Sequence, residues 1–424
     1  MKILAIAVTT ATVLALSAPA PTRAEEQITA SAATPAALGG PGGRPAGPCA
    51  LRTLTRAVSE GARTPRGYAR SSGRVRAITF LIDFPDAPAR ISPRQRYAEF
   101  FPAVADYFRA SSYGRLDYRS TPVPRWIRMS RPYRSYGISR AASFDPGGDD
   151  GYAAIAREIV DDVDEEVDFG RYDLINVLAT PNAGPPATQD VRSVTFAGAP
   201  TGLETDDGVD VRNVSFIWSR QTGDSPYRVL THENAHSFGL PDLYYTGHTR
   251  ARRTPVGHWD PMDEDWGPSN DFLAWHKWKL GWLSPRQVDC VARPGTRTVT
   301  LTPTSVPGGT KLAVVPLSRT RALTLEARTR GRLDHAVCRP GVLVATVASD
   351  LASGAAPVRT ADATPGSRGC HTTDPNVAPH LTDAPYRPGQ RFSTQGVTVE
   401  ILPHTRPGTY RAAITRHRGP GHHA

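Results

Sequence analysis

Residues 232–244 read HENAHSFGLPDLY, and this stretch restricts the chain more than any other. His232 and His236 stand four apart, with Glu233 directly after the first. On an α-helix, positions i and i+4 lie on one face, so both imidazoles can reach one metal ion. The residue beside the first histidine then reaches a water held at that ion. Tyr227-Arg228-Val229-Leu230 lead into the motif, which predicts a helix from Tyr227 to Phe238. Gly239 tolerates left-handed backbone angles and lets that helix stop abruptly. Leu240-Pro241 turns the chain, so that Asp242 can swing back as a third ligand. Whatever the fold, it must make a helix and the loop after it converge on one point.

Two imidazoles are borderline-soft donors and suit zinc better than calcium or magnesium. Three protein ligands leave a fourth position open for water, as a catalytic zinc site requires. Zinc lowers the pKa of that water to about 7 and polarises a carbonyl. Glu233 is placed to take the water's proton and pass it to a leaving amine. H-E-x-x-H alone is short enough to arise by chance. The glycine, the aspartate and the downstream Met262 in Trp259-Asp260-Pro261-Met262 sharpen it. A helix that was merely core would not place His, Glu and His on its buried side.

The N-terminus bears on compartment. Lys2, an apolar run from Ile3 to Leu16 and the small residues Ser17-Ala18-Pro19-Ala20 read as a signal peptide over residues 1–24. The run is short for a membrane span. The expectation is therefore a secreted protein without stable membrane insertion. Four cysteines, Cys49, Cys290, Cys338 and Cys370, fit two disulfides in an exported chain. Three pairings are possible. Cys338 with Cys370 is the most local, which would leave Cys49 with Cys290. Alternatively, Cys49 lies upstream of the motif, where a thiolate could block the zinc in a latent precursor. The net charge of +10 comes almost wholly from scattered arginine. Losing Lys2 and Arg23 with the signal peptide leaves +8. Nucleic-acid binders concentrate their charge on a stripe or arm, so no nucleic-acid partner is expected. Weak adhesion to anionic cell surfaces stays open.

Along the chain, residues 25–70 are rich in Ala, Gly, Pro and Thr and read as a flexible linker or short pro-segment. Val75 to Phe84 reads as a buried strand and Pro93 to Ser111 as a helix interrupted by Pro102. Trp126–Met129, Asp173–Ala179, Val194–Phe196 and Val214–Trp218 read as strands, and Gly151–Val163 as an amphipathic helix. This order predicts an α+β, α/β-like catalytic domain over residues 71–285, with a twisted mixed sheet and an active-site helix. From residue 286 to 418, short apolar segments between Pro- and Gly-rich turns predict a β-rich C-terminal domain. Residues 419–424 read as a disordered tail.

The stretches LIDFPD (81–86), SSYGRLDY (111–118), VDFGRYD (167–173), HENAHSFGLPDLY (232–244) and VGHWDPMDEDWG (256–267) occur in order. AWHKWKLGWL (274–283) and LTLEARTRG (323–331) continue the series. Together they resemble the immune-inhibitor-A-type secreted metallopeptidases and, more broadly, the metzincin clan. The resemblance runs from about residue 75 to about residue 350 and implies a metzincin-type catalytic domain. It implies His232, His236 and Asp242 as zinc ligands, Glu233 as general base, and Met262 as the methionine of a tight turn beneath the metal. Ala235 stands where family members often carry glycine, and alanine is the better helix former. The clan's tyrosine after that turn is missing, and Asp263-Glu264-Asp265 stands there. Tyr244, Tyr245 and His258 are the alternatives for stabilising an oxyanion.

The expectation from sequence is a monomeric, secreted zinc endopeptidase acting on protein or peptide substrates. Two rivals stand beside it: an exported surface-binding protein with a structural zinc site, and a zinc amidase acting on cell wall. Trp275, Trp278 and Trp282 read as core packing, and His276 as a surface or satisfied histidine. Asp83, Asp86 and the run Asp161–Glu166 offer either calcium ligands or turn caps and a solvated face.

Overall fold

A computed structural model describes residues 45–54, 57–138, 144–184, 192–218, 227–246, 254–264, 270–370, 379–404 and 408–418. The expected signal peptide and tail lie outside them. The described chain is a mixed α+β structure of three sheets and a few helices.

The first sheet holds β1 (Gly73–Asp83), β2 (Leu116–Arg128), β3 (Leu174–Ala179), β4 (Val194–Phe196) and β5 (Val214–Ile217). Its order is β2-β1-β3-β5-β4; all neighbours run parallel except β4, which is antiparallel to β5. β1 and β3 are almost continuously apolar because both faces of this sheet are covered. One face packs Ile78, Phe80, Ile82, Val177 and Phe216 against α3 (Gly151–Val163), through Ile155, Ile159 and Val163. The other face packs Val75, Ala77, Leu116 and Leu178 against α2 (Ala103–Ser111) and α4 (Arg228–Ser237). The expected helix over 93–111 is two helices, α1 (Pro93–Ala98) and α2, because Pro102, which has no N–H to donate, stands at the N-cap of the second. The strand expected at Trp126–Met129 is the far end of β2, whose earlier residues alternate between buried and exposed.

After α5 (Ala274–Lys279) the chain builds two antiparallel-rich sheets. One holds β6 (Val288–Cys290), β8 (Leu312–Pro316), β9 (Arg321–Arg328), β10 (Gly341–Ala348) and β11 (Val358–Ala361). The other holds β7 (Gly295–Leu301), β12 (Arg391–Thr394), β13 (Val397–Leu402) and β14 (Tyr410–Arg416). Leu323, Leu325, Val342 and Val344 meet Val399, Ile401, Ala412 and Ile414 between them. The opposite face of the β8–β10 sheet, with Val314, Leu343, Ala345 and Val347, joins the core that also contains Leu230, Phe238 and Met262. β8, β9 and β10 are therefore buried on both sides. The β-rich half is not a free-standing lobe: one apolar core runs across residue 285.

The reading of 45–70 as a flexible linker needs correction over its described part. Cys49, Leu51, Ser59, Glu60 and Ala62 are buried. Cys49 is disulfide-bonded to Cys290, and Cys338 to Cys370, so no cysteine thiolate remains to block a metal. The segment lacks periodicity because it runs over the protein without forming a strand or an α-helix; specific ties hold it. Ala69 N–H donates to Ser237 O at the end of α4, and Lys279 Nζ donates to Gly61 O. Among the described residues, no helix is long and apolar enough to cross a membrane.

Candidate metal centre

α4 is buried along nearly its whole length, and its polar residues divide by direction. Asn234 faces the sheet: its Oδ1 accepts from the Tyr118 hydroxyl at 2.7 Å, and its Nδ2 donates to Asn176 Oδ1 at 2.8 Å and Ser215 at 3.2 Å. Buried amides need such partners, and these allow one rotation of the helix about its axis. That rotation turns His232, Glu233 and His236 into a cavity of about 230 Å³.

The backbone sets both imidazoles. His232 Nδ1 lies 2.8 Å from Pro261 O, and His236 Nδ1 lies 2.8 Å from Leu240 O. A carbonyl only accepts, so each Nδ1 carries the proton and each Nε2 presents its lone pair to the cavity. The two Nε2 atoms are 3.1 Å apart, and Asp242 Oδ1 lies 3.2 Å from each. Among the described residues, these three side chains form the group whose donor atoms converge closely enough for a metal. Tetrahedral zinc with bonds of about 2.0–2.1 Å needs donors about 3.3 Å apart. Asp242 Oδ1 is buried and accepts no hydrogen bond, the state expected of an oxygen reserved for a cation. The donor set fits zinc.

Gly239 ends α4 with φ +91°, as a left-handed stop requires. A second constraint appears only in the fold, since a Cβ there would lie 2.3 Å from Thr64 Cγ2. The chain then turns and brings Asp242 inward. Ser353, in the loop between β10 and β11, holds it by donating to Asp242 Oδ2 and accepting from Asp242 N–H, both at 2.9 Å. Met262 is fully buried in the core that also contains Leu243. Its carbonyl accepts from Leu243 N–H at 2.9 Å, so the 260–262 turn braces both the first histidine and the loop of the third ligand.

Glu233 is buried, and its Oε2 takes a hydrogen bond of 2.8 Å from the Thr195 hydroxyl on β4. Burial pushes its carboxyl above the usual range, while the two imidazoles and Thr195 pull it back. Burial raises Asp242 as well, but the imidazoles outweigh this and hold it well below the carboxylate norm. Burial lowers His236, and the Asp242 carboxylate more than reverses that.

Of the three residues considered for an oxyanion, Tyr244 lines the cavity. Tyr245 is not among the residues that line it, and its backbone pairs with Ala355. His258 is buried and held neutral, its pKa lowered to about 3 by burial and then by Arg328 and Arg228. Of the three, only Tyr244 is among the residues that line the cavity. Sequence reasoning missed Tyr68, Thr195 and Ser353, which also line the cavity. Tyr68 comes from the segment read as linker, and its ring passes where a side chain at Gly198 would stand. The one local signal was an aromatic residue in a Gly/Pro-rich stretch.

The acidic residues considered for calcium serve as structural acceptors. Asp83 takes Arg128 and the Ala89 N–H, and Asp86 takes the Tyr133 N–H. Asp162 and Glu166 clamp Arg125. Trp275, Trp278 and Trp282 are core residues, and His276 is the satisfied kind, fully buried between two carboxylates. No protein-family model matches this chain, and no curated protein is significantly similar to it.

Proposed function

We propose that this chain is a secreted zinc-dependent endopeptidase of metzincin type, resembling the immune-inhibitor-A-type enzymes. The observation that carries the reading is the convergence of His232 Nε2, His236 Nε2 and Asp242 Oδ1 beside the Glu233 carboxylate, in one open cavity. A purely structural zinc site has no use for a buried carboxylate next to its ligands. When bound, zinc supplies a Lewis acid that polarises a peptide carbonyl and acidifies a water.

The chain's own residues do the rest. Glu233 accepts the proton of the attacking water and returns it to the departing amine, so no acyl-enzyme forms. Thr195 fixes the Glu233 carboxylate by its hydrogen bond. Tyr68 and Tyr244 line the same cavity, and a tyrosine hydroxyl there is the kind of donor that steadies an oxygen as it becomes negative. β4 lies at the end of the sheet order, and Val194 and Thr195 line the cavity. An extended peptide added to that strand would pass its carbonyls through the site.

The test is Glu233→Ala. Casein cleavage should vanish while one zinc remains bound per chain. Full activity in that variant would refute the mechanism. Wild-type protein that binds zinc but cleaves no protein, with or without chelator, would favour the surface-binding alternative. Digestion of purified cell wall in its place would favour an amidase.

A further inference from the structure

Three side chains with no solvent exposure lie in a row behind the candidate metal centre. Glu60 Oε1 is 3.0 Å from His276 Nε2, and His276 Nδ1 is 2.7 Å from Asp260 Oδ2. Each ring nitrogen lies within ion-pair distance of a carboxylate, an environment that favours the imidazolium, although the Nδ1–H is not aligned as a hydrogen bond to Asp260. Trp275 Nε1 donates to the other Glu60 oxygen at 2.9 Å. Buried ions are expensive unless fully paired, and a histidine remote from the cavity has no packing reason to be charged. The arrangement therefore calls for an explanation beyond stability.

Its far end supplies one. Asp260 Oδ1 accepts the Met262 N–H and Asp260 Oδ2 accepts the Leu273 N–H, both at 2.8 Å. The first closes the turn across Pro261, and the second ties Asp260 to the residue before α5. The Pro261 carbonyl takes the Nδ1 proton of His232. A path of direct contacts thus runs from Glu60 through His276, Asp260 and the turn to the first histidine of the metal group.

We propose that Glu60, His276 and Asp260 are positioning residues that hold the His232 imidazole in its metal-binding orientation. The N-terminal segment around Glu60 then belongs to the working site. This rests on the zinc reading above. Outer partners of a metal-binding histidine commonly change metal affinity by 10–100-fold when removed.

The test measures zinc affinity by competition with a chromophoric chelator, and the visible spectrum of the cobalt-loaded protein, on the full exported chain. Glu60→Gln removes the charge opposite His276 with little change in shape. It should weaken zinc binding about tenfold and alter the cobalt bands, which report ligand geometry. Lys279→Met cuts the neighbouring tie to Gly61 without touching the row, and should leave both readouts as in wild type. Glu60→Gln with lowered thermal stability but wild-type zinc affinity and cobalt spectrum would show a merely structural role and overturn the proposal. If Glu60→Gln does not fold, Trp275→Phe removes one donor to Glu60 and should still weaken zinc severalfold; no change there overturns it equally. Wild type that binds no zinc defeats the metal reading itself, a failure visible before any variant is made.

Discussion

Thr195 and His276 show how single residues govern charge in this interior. The Thr195 hydroxyl favours the ionised form of Glu233 against a burial that disfavours it. Thr195→Val therefore raises the Glu233 carboxyl further. In the proposed mechanism the base works as carboxylate, so activity lost on acidification should be lost at higher pH in that variant. A pH profile of kcat/KM on a peptide substrate checks the shift; an unmoved acid limb contradicts it. The charge on His276 also contributes to stability. Burial lowers its pKa, but Asp260 and Glu60 outweigh this and raise it to about 10. The folded value exceeds the unfolded one, so the stabilisation is complete below about pH 6.5 and fades as pH rises through about 10. His276→Gln should cost about 3 kcal/mol at pH 6 and clearly less at pH 9.5, read from urea midpoints. An equal cost at both values would mean the ring is neutral.

At the scale of elements, α4 and its exit loop form one device. The helix carries both histidines, and Gly239 turns the chain where neither a Cβ nor a right-handed angle fits. Gly239→Ala should destabilise the fold by about 1–3 kcal/mol and weaken zinc binding, because Asp242 can no longer return to the same point. Thermal melting and zinc titration together check this; a variant that melts lower yet binds zinc normally would separate the turn from the ligand. The six residues His232, Glu233, His236, Gly239, Asp242 and Met262 were readable because helix periodicity and one turn bring most of them together. Ser353 was not, since 111 residues separate it from the aspartate it orients. Glu60 lies 216 residues from His276, and no local pattern announces such a pair.

For the whole molecule, the shared core decides cooperativity. Leu230, Phe238 and Met262 pack in the same cluster as Val314, Leu343 and Val347. Residues 71–285 and 286–418 should therefore unfold in one transition, with tryptophan fluorescence and circular dichroism giving coincident curves. Two separated transitions would show independent lobes. The Cys49–Cys290 disulfide closes 241 residues and ties the N-terminal segment to the start of β6. Replacing both cysteines by serine should remove several kcal/mol, up to about 5, by releasing entropy to the unfolded chain.

Sequence alone determined the residue types of the candidate metal group, their helix and its stop, the approximate strand positions, and the even set of cysteines. These follow from spacing within a few turns of chain, where geometry is nearly fixed by the backbone. Tertiary structure decided that the C-terminal sheet shares the core packed around α4, that the segment around Cys49 and Glu60 is anchored, and that Tyr68, Thr195 and Ser353 reach the cavity. Such contacts join residues far apart along the chain, and burial of common apolar surface selects them through no local periodicity.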